Sequence, residues 1–154
     1  MICKGCFKEK GSFLLCPACG YMEGSKPADT EALSPGTVLD ARYMVGNMIV
    51  SGEESITYQG YDGQLELFVL IRQKRKQADK EHFLQKARWF AGFKNNHSIV
   101  DIYNCRKVAG TYFMILEYAE GIPGVEKFPQ NIVSKSILVH GKDILIGNTS
   151  RFRI

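Results

Sequence analysis

The sequence predicts an α+β chain: a small cysteine-bearing N-terminal segment, then a five-stranded antiparallel sheet with one amphipathic helix, then a short C-terminal β-hairpin. Three observations predict it. Four of the five cysteines fall in two close pairs near the N-terminus. From residue 43 onward, short apolar runs alternate with Gly, Asp and Ser turn signals. A single stretch, residues 79–93, repeats apolar residues at helical spacing. With 154 residues, 45% of them hydrophobic and 23% charged, the chain can bury one moderate core, or a core beside a small appendage. That composition excludes a disordered chain.

Residues 1–21 hold Cys3, Cys6, Cys16 and Cys19 with little apolar mass beyond Phe7, Phe13, Leu14 and Leu15, too little to fold on a core alone. Each C-x-x-C pair is short enough for one turn to bring both thiolates to a single ion, and two pairs complete a tetrahedral set. A closed set of four thiolates leaves no coordination position for substrate, so the expected ion is a structural zinc. Lys4, Lys8 and Lys10 are available to offset the negative charge of such a centre. Two disulfides, free thiols and iron are the competing readings. The opening Met1-Ile2-Cys3-Lys4 is not that of a signal peptide, and disulfides are rare where thiols stay reduced. Cys105, far from the quartet, reads as a small buried hydrophobe rather than a reactive thiol.

Residues 22–34 are polar and aperiodic and read as a linker, closed by the turn signal Ser34-Pro35-Gly36. The apolar runs 43–50, 55–61 and 65–72 are the first three expected strands, and Asp62-Gly63 between the last two favours a tight hairpin. The helix expected over 79–93 lines up Phe83, Leu84, Ala87, Phe90 and Ala91 along one face, with Asn95-Asn96 ending it. Two more strands, 99–108 and 112–118, join through Ala109-Gly110-Thr111. Residues 137–139 and 144–146 read as a further hairpin around His140-Gly141-Lys142-Asp143.

The longest apolar runs, 67–71 and 112–116, fall far short of the roughly 18 residues a membrane-spanning helix needs. A cytoplasmic protein is the expectation. Twenty Lys and Arg against sixteen Asp and Glu give +4, which permits an anionic partner without demanding one. The basic run Arg72-Gln73-Lys74-Arg75-Lys76, with Lys80, reads first as solvated surface and second as a nucleic-acid patch. Glu53 and Glu54 are adjacent in a turn and point apart, so they carry no acid-base chemistry. His97 and His140 lie in expected turns without ligand partners. Of Trp89 and Phe93, at least one is expected to pack into the core.

The order of five strands with one helix between the third and fourth, and the residues themselves, resemble the small lobe of a protein kinase. Leu33-Ser34-Pro35-Gly36-Thr37-Val38-Leu39 followed by Arg42-Tyr43 resembles the lead-in of bacterial Ser/Thr kinases with an N-terminal zinc ribbon. Ile56-Thr57-Tyr58 with Tyr61-Asp62 resembles their second strand. Val69-Leu70-Ile71-Arg72 stands where they carry V-A-I-K. Phe83 to Arg88 resembles the αC helix, Asn96-His97-Ser98-Ile99-Val100 the loop behind it, and Thr111 to Gly121 the fifth strand and hinge. Beyond Gly121 the likeness is fragmentary: Phe128-Pro129-Gln130-Asn131-Ile132 resembles the end of the catalytic loop, and Ile144 to Thr149 the strand entering the DFG triplet. The resemblance divides the chain into a zinc ribbon (1–21), a linker (22–34), a kinase-like small lobe (35–121) and a vestigial catalytic-loop-like segment with its hairpin (122–154).

Phosphoryl transfer needs phosphates held and magnesium bound, and against that pattern this sequence departs at each part. The G-x-G-x-x-G loop becomes Val50-Ser51-Gly52-Glu53-Glu54-Ser55, with one glycine of three and two added carboxylates. The V-A-I-K lysine becomes Arg72, and the αC glutamate that should pair with it falls at Lys86, so like charges replace an ion pair. H-R-D falls on Gly124-Val125-Glu126, and the DFG aspartate falls at Gly147 beside the neutral Asn148. Arg72 and Asn131 are the residues left for a vestigial nucleotide site, which makes binding of ATP and magnesium doubtful. The stretch from Gly121 to Glu126 leaves no room for the large lobe's two main helices, so the peptide-binding half is expected to be lacking. The resemblance therefore implies a non-catalytic, pseudokinase-like regulatory or scaffolding module with a structural zinc ribbon. Its expected partner is a protein, a full-length kinase or a second copy of the chain. A weakly active, ATP-binding kinase remnant is the alternative, and nucleic-acid binding through the ribbon and the basic run is a third.

Overall fold

A computed structural model of the chain describes residues 1–93, 96 and 98–118, together with the backbone of residues 139, 140, 143 and 144. Each apolar run becomes a strand. In chain order these are β1 (Val38–Leu39), β2 (Tyr43–Ser51), β3 (Ser55–Asp62), β4 (Leu67–Lys74), the helix α1 (Lys80–Ala91), β5 (Ile102–Val108), β6 (Thr111–Glu117), β7 (Val139–His140) and β8 (Asp143–Ile144). The first six strands form one antiparallel sheet in the order β1-β2-β3-β4-β6-β5, and β7 and β8 form a separate pair. The expected C-terminal hairpin is present through the pairs Val139↔Ile144 and His140↔Asp143, so that His140 and Asp143, expected in the turn, stand in the strands.

The sheet has six strands where five were expected. The addition is β1, two residues that pair antiparallel with the start of β2 through Val38↔Met44 and Leu39↔Tyr43. Two residues are too short a run for alternation to reveal. The hairpin at Asp62-Gly63 is found, but its turn is wider than the two-residue form. Four residues, 63–66, separate β3 from β4. The Asp62 carboxylate accepts the N–H groups of Gln64 (2.9 Å) and Leu65 (3.1 Å), and Arg42 donates to both its oxygens at 2.9 and 2.8 Å. A carboxylate only 1% exposed must be fully hydrogen-bonded, and the wider turn supplies those donors. The strand expected from residue 99 begins at Ile102, and the buried Ile99 and Val100 precede it. Ala109 and Gly110 join β5 to β6, both at positive φ (51° and 84°), as in a type I′ turn.

The chain divides into two compact units, one of Met1–Ala78 with Lys107–Phe113, the other of Asp79–Arg106 with Met114–Ile154. In the first, β3 and β4 pair without a break from Ser55↔Lys74 to Asp62↔Leu67. Strand alternation therefore puts Ile56, Tyr58, Val69, Ile71 and Gln73 on one face, all of them buried. Thr57, Tyr61, Phe68, Leu70 and Arg72 share the other. In the second unit, Asp79 caps α1, its carboxylate accepting the His82 N–H at 2.7 Å. The helix ends at Gly92, whose N–H bonds the Arg88 carbonyl, three residues before the expected Asn95-Asn96 stop. Phe83, Ala87 and Phe90 form its buried stripe, while Ala91 of the expected face is exposed. Trp89 is half-buried, its ring 4.7 Å from that of Phe93 and 5.4 Å from that of Phe90. Among the described residues no helix is long and apolar enough to cross a membrane.

Candidate functional site

Two small hairpins, marked by the bridges Ile2↔Glu9 and Leu15↔Met22, carry the four cysteines. They are built alike. In the first, the Phe7 N–H bonds the Cys3 carbonyl at 2.9 Å; in the second, the Gly20 N–H bonds the Cys16 carbonyl at 2.8 Å. Phe7 and Gly20 both take positive φ, 62° and 78°. The two knuckles bring all four sulfurs within 4.8 Å of one another. Cys3 Sγ lies 3.7 Å from Cys19 Sγ, and Cys6 Sγ 3.8 Å from Cys16 Sγ. Four sulfurs at a zinc–sulfur distance of about 2.3 Å would stand roughly 3.8 Å apart along the edges of a tetrahedron, so the donor set fits a tetrahedral metal. Those separations are well beyond the ~2.05 Å of a disulfide bond, and the cysteines are free thiols.

Cys3, Cys6 and Cys16 are buried, with Tyr21 packed against them, and Cys19 lies at the surface. Burial pushes the Cys6 thiol up to about 12 and raises that of Cys3. At Cys16 burial also opposes ionisation, but the N–H groups of Cys19 and Ala18 and the neighbouring thiols outweigh it and hold the thiol at about 7. The Gly5 N–H points at Cys3 Sγ, 3.2 Å away. Of the three expected counter-charges, Lys4 and Lys10 both reach Glu23, at 3.4 and 4.0 Å, and Lys8 is exposed. Four thiols placed in this way can bind a metal ion.

The ribbon is seated on the sheet. The Asn47 N–H in β2 donates to the Gly5 carbonyl at 2.8 Å. Phe7, the residue after ligand position Cys6, lays its ring 5.9 Å from that of Tyr61 and 6.0 Å from that of Phe68. Gly46 makes room for this: a Cβ there would stand 2.5 Å from the Gly5 carbonyl oxygen and 2.8 Å from the Phe7 ring. Sequence reading missed this seat. Its one signal is the comparison of C-x-x-C-F with C-x-x-C-G, because an aromatic residue where the second knuckle uses glycine implies that the side chain is needed.

Residues in the 22–34 stretch are also tied to the sheet. The Leu33 N–H donates to the fully buried Tyr58 hydroxyl at 2.8 Å, and that hydroxyl donates to Gln73 Oε1 at 2.5 Å. Gln73 Nε2 donates to the Glu31 carbonyl. Arg75, just past β4, is the centre of a second cluster. Its guanidinium pairs with Asp29 and with Glu31 (3.2 Å), and donates to the Ser51 hydroxyl and, at 2.7 Å, to the Gly52 carbonyl. The Ser51 hydroxyl in turn donates to Asp29 at 2.6 Å. The turn between β2 and β3 is therefore held closed by an arginine and two carboxylates, while Glu53 and Glu54 stand exposed on it.

Arg72 lies half-buried in β4 opposite Thr57, and Lys86 is half-buried on α1 in the other unit. Asn131, the Gly124-Val125-Glu126 and Gly147-Asn148 positions, and His97 lie outside the described residues. The side chain of His140 does too. Cys105 is half-buried; burial raises its pKa, against the pull of Arg88.

No protein-family model and no curated protein matches the chain. Solved structures do. The chain is similar to the apo form of PpkA-294, with 18% identity over 65% of this chain and 46% of that one, at a TM-score of 0.51. It is also similar to the kinase domain of Mycobacterium tuberculosis PknI, solved as a cysteine-to-alanine mutant. There the identity is 13% over 75% of this chain and 62% of that one, at a TM-score of 0.52. The chain thus spans about half to three fifths of the structures it matches. At such identities the likeness is one of fold: a six-stranded antiparallel sheet with one helix, arranged as in bacterial Ser/Thr kinase domains and preceded by a four-cysteine ribbon.

Proposed function

We infer that this chain is a non-catalytic, pseudokinase-like regulatory or scaffolding module of the cytoplasm, with a structural zinc in its ribbon, that acts by binding a protein partner. The observation that carries this reading is the closed β2–β3 turn. In the kinases that the sequence resembles, this turn covers the phosphates with glycine backbone. Here the Gly52 carbonyl is engaged by Arg75, Ser51 is engaged by Asp29, and Glu53 and Glu54 are exposed on the turn. Negative charge carried on this turn opposes the binding of phosphate.

Strand β4 supports the same conclusion. Alternation puts Leu70 on the face of Arg72, and Leu70 stands at the small second position of V-A-I-K, so bulk has replaced space beside the cation. Support for a protein partner comes from the ribbon, where Phe13, Leu14, Leu15 and Met22 are 51–73% exposed. The basic run lends little to nucleic-acid binding. Arg75 is engaged by carboxylates, Gln73 is buried, and Lys74 Nζ donates to the carbonyls of Arg75 and Ala78.

The test is phosphoryl transfer. Zinc-loaded protein is incubated with radiolabelled ATP, magnesium and a generic acceptor protein. The expected incorporation is no greater than that of Arg72→Ala. Magnesium-dependent transfer that disappears in Arg72→Ala would replace this reading with that of a weakly active kinase.

A further inference from the structure

We propose that the metal centre is a latch on the kinase-like sheet, so that loss of the ion frees the Gly46–Asn47 segment of β2 and uncovers the Tyr61–Phe68 surface while the rest of the sheet stays folded. The inference rests on the metal reading above and adds to it the route by which the ion acts.

The route is short. Cys3 and Cys6 bracket Gly5, whose carbonyl accepts the Asn47 N–H at 2.8 Å, and Cys6 directly precedes Phe7. Phe7 holds φ at 62°, a left-handed conformation that costs a non-glycine residue free energy and persists only where the surroundings impose it. Two things impose it here. One is the knuckle, closed by the Phe7 N–H to Cys3 carbonyl bond; the other is the ring's seat beside Tyr61 and Phe68. The fit is close on both sides. The Asn47 side chain fills the space that a Cβ on Gly5 would need, and the Gly5 carbonyl and Phe7 ring fill the space that a Cβ on Gly46 would need. Without the ion, the first knuckle has few apolar contacts of its own to keep its turn closed, and carbonyl and ring then lose their fixed positions together. The β3–β4 ladder does not depend on them, since its eight pairs run unbroken and its Ile56, Tyr58, Val69 and Ile71 are fully buried.

Amide hydrogen exchange on the reduced protein, before and after removal of Zn²⁺ by a chelator, tests this. The Asn47 amide should exchange at least about tenfold faster without zinc, while amides of the β3–β4 ladder change by less than about threefold. Stoichiometric zinc with an unchanged Asn47 rate would overturn the latch alone. Failure to bind stoichiometric zinc would overturn the metal reading and the latch with it. Ladder amides accelerating together with Asn47 would mean that the ion holds the whole sheet, and the latch would again be wrong. A second variant keeps every thiol: because coupling is reciprocal, Phe7→Ala should weaken Zn²⁺ binding by at least about threefold. An affinity unchanged by that substitution would contradict the proposal.

Discussion

Phe7, Tyr58 and Asp62 each answer a constraint that their neighbours impose. The Tyr58 ring is fully buried and its hydroxyl both accepts from Leu33 and donates to Gln73, joining the polar stretch before the sheet to β3 and β4. Tyr58→Phe leaves the buried Gln73 Oε1 and the half-buried Leu33 N–H without this partner and should cost about 1–3 kcal/mol in urea denaturation, against near-neutral loss of a hydroxyl had it faced water. Asp62 shows a pH dependence. Burial pushes its pKa up, but Arg42 and the N–H groups of Leu65 and Gln64 outweigh it, and the folded-state value lies below the ordinary one. A depressed carboxyl contributes stability that is present above its unfolded pKa of about 3.9 and is lost as pH falls through the folded value. Asp62→Asn should therefore be less stable than the parent at pH 7 and lose less on acidification from about pH 5 to about pH 2. Little of this was legible in sequence. The cysteine spacing pointed directly to the quartet, because chemistry fixes it locally. Asp29 and Glu31 lie more than forty residues from Arg75 in the chain but meet it in space, and no local pattern announces that.

The strands were legible as apolar runs bounded by turn residues, and the helix by its own period, which buries Phe83, Ala87 and Phe90 in α1. What sequence could not supply was the environment of β2, which pairs with β3 through two irregularities, at 45–48 and 48–50, and carries the ribbon on its other edge. Two glycines separate these roles. A Cβ on Gly46 would meet the backbone oxygens of Gly5 and Gln59 at 2.5 and 2.9 Å, groups that move only with their chains. A Cβ on Gly60 would meet Cδ1 and Cγ1 of Ile71 at 2.4 and 2.8 Å, and the nearest backbone atom, the Met44 carbonyl oxygen, only at 3.2 Å, so its main conflict is with a side chain. Gly46→Ala should thus be the more destabilising of the two, by about 1–3 kcal/mol, in parallel thermal or urea melts. Equal costs would show that the ribbon gives way without resistance.

At the scale of the molecule, the fold is similar to that of bacterial Ser/Thr kinase domains, and the loss of nucleotide handling is what we propose. The strand order accompanies a β2–β3 turn that closes around Arg75, which binds Asp29 and the Gly52 carbonyl. Fold is set by many buried positions that tolerate exchange among apolar residues, whereas catalysis depends on a few charges at fixed places. That asymmetry is why a kinase-like fold could be expected even though the resemblance puts Arg72, Lys86 and two glutamates at the family's key positions.

The most direct test is a thermal-shift titration of the zinc-loaded protein with ATP, with and without magnesium, since a ligand that binds only the folded state must raise the melting temperature. A nucleotide site saturated about a hundredfold above its Kd would add about 2.7 kcal/mol, a shift of several degrees for a domain of this size. The expected result is no shift at millimolar ATP in either condition. A magnesium-dependent rise that Arg72→Ala removes would contradict the account.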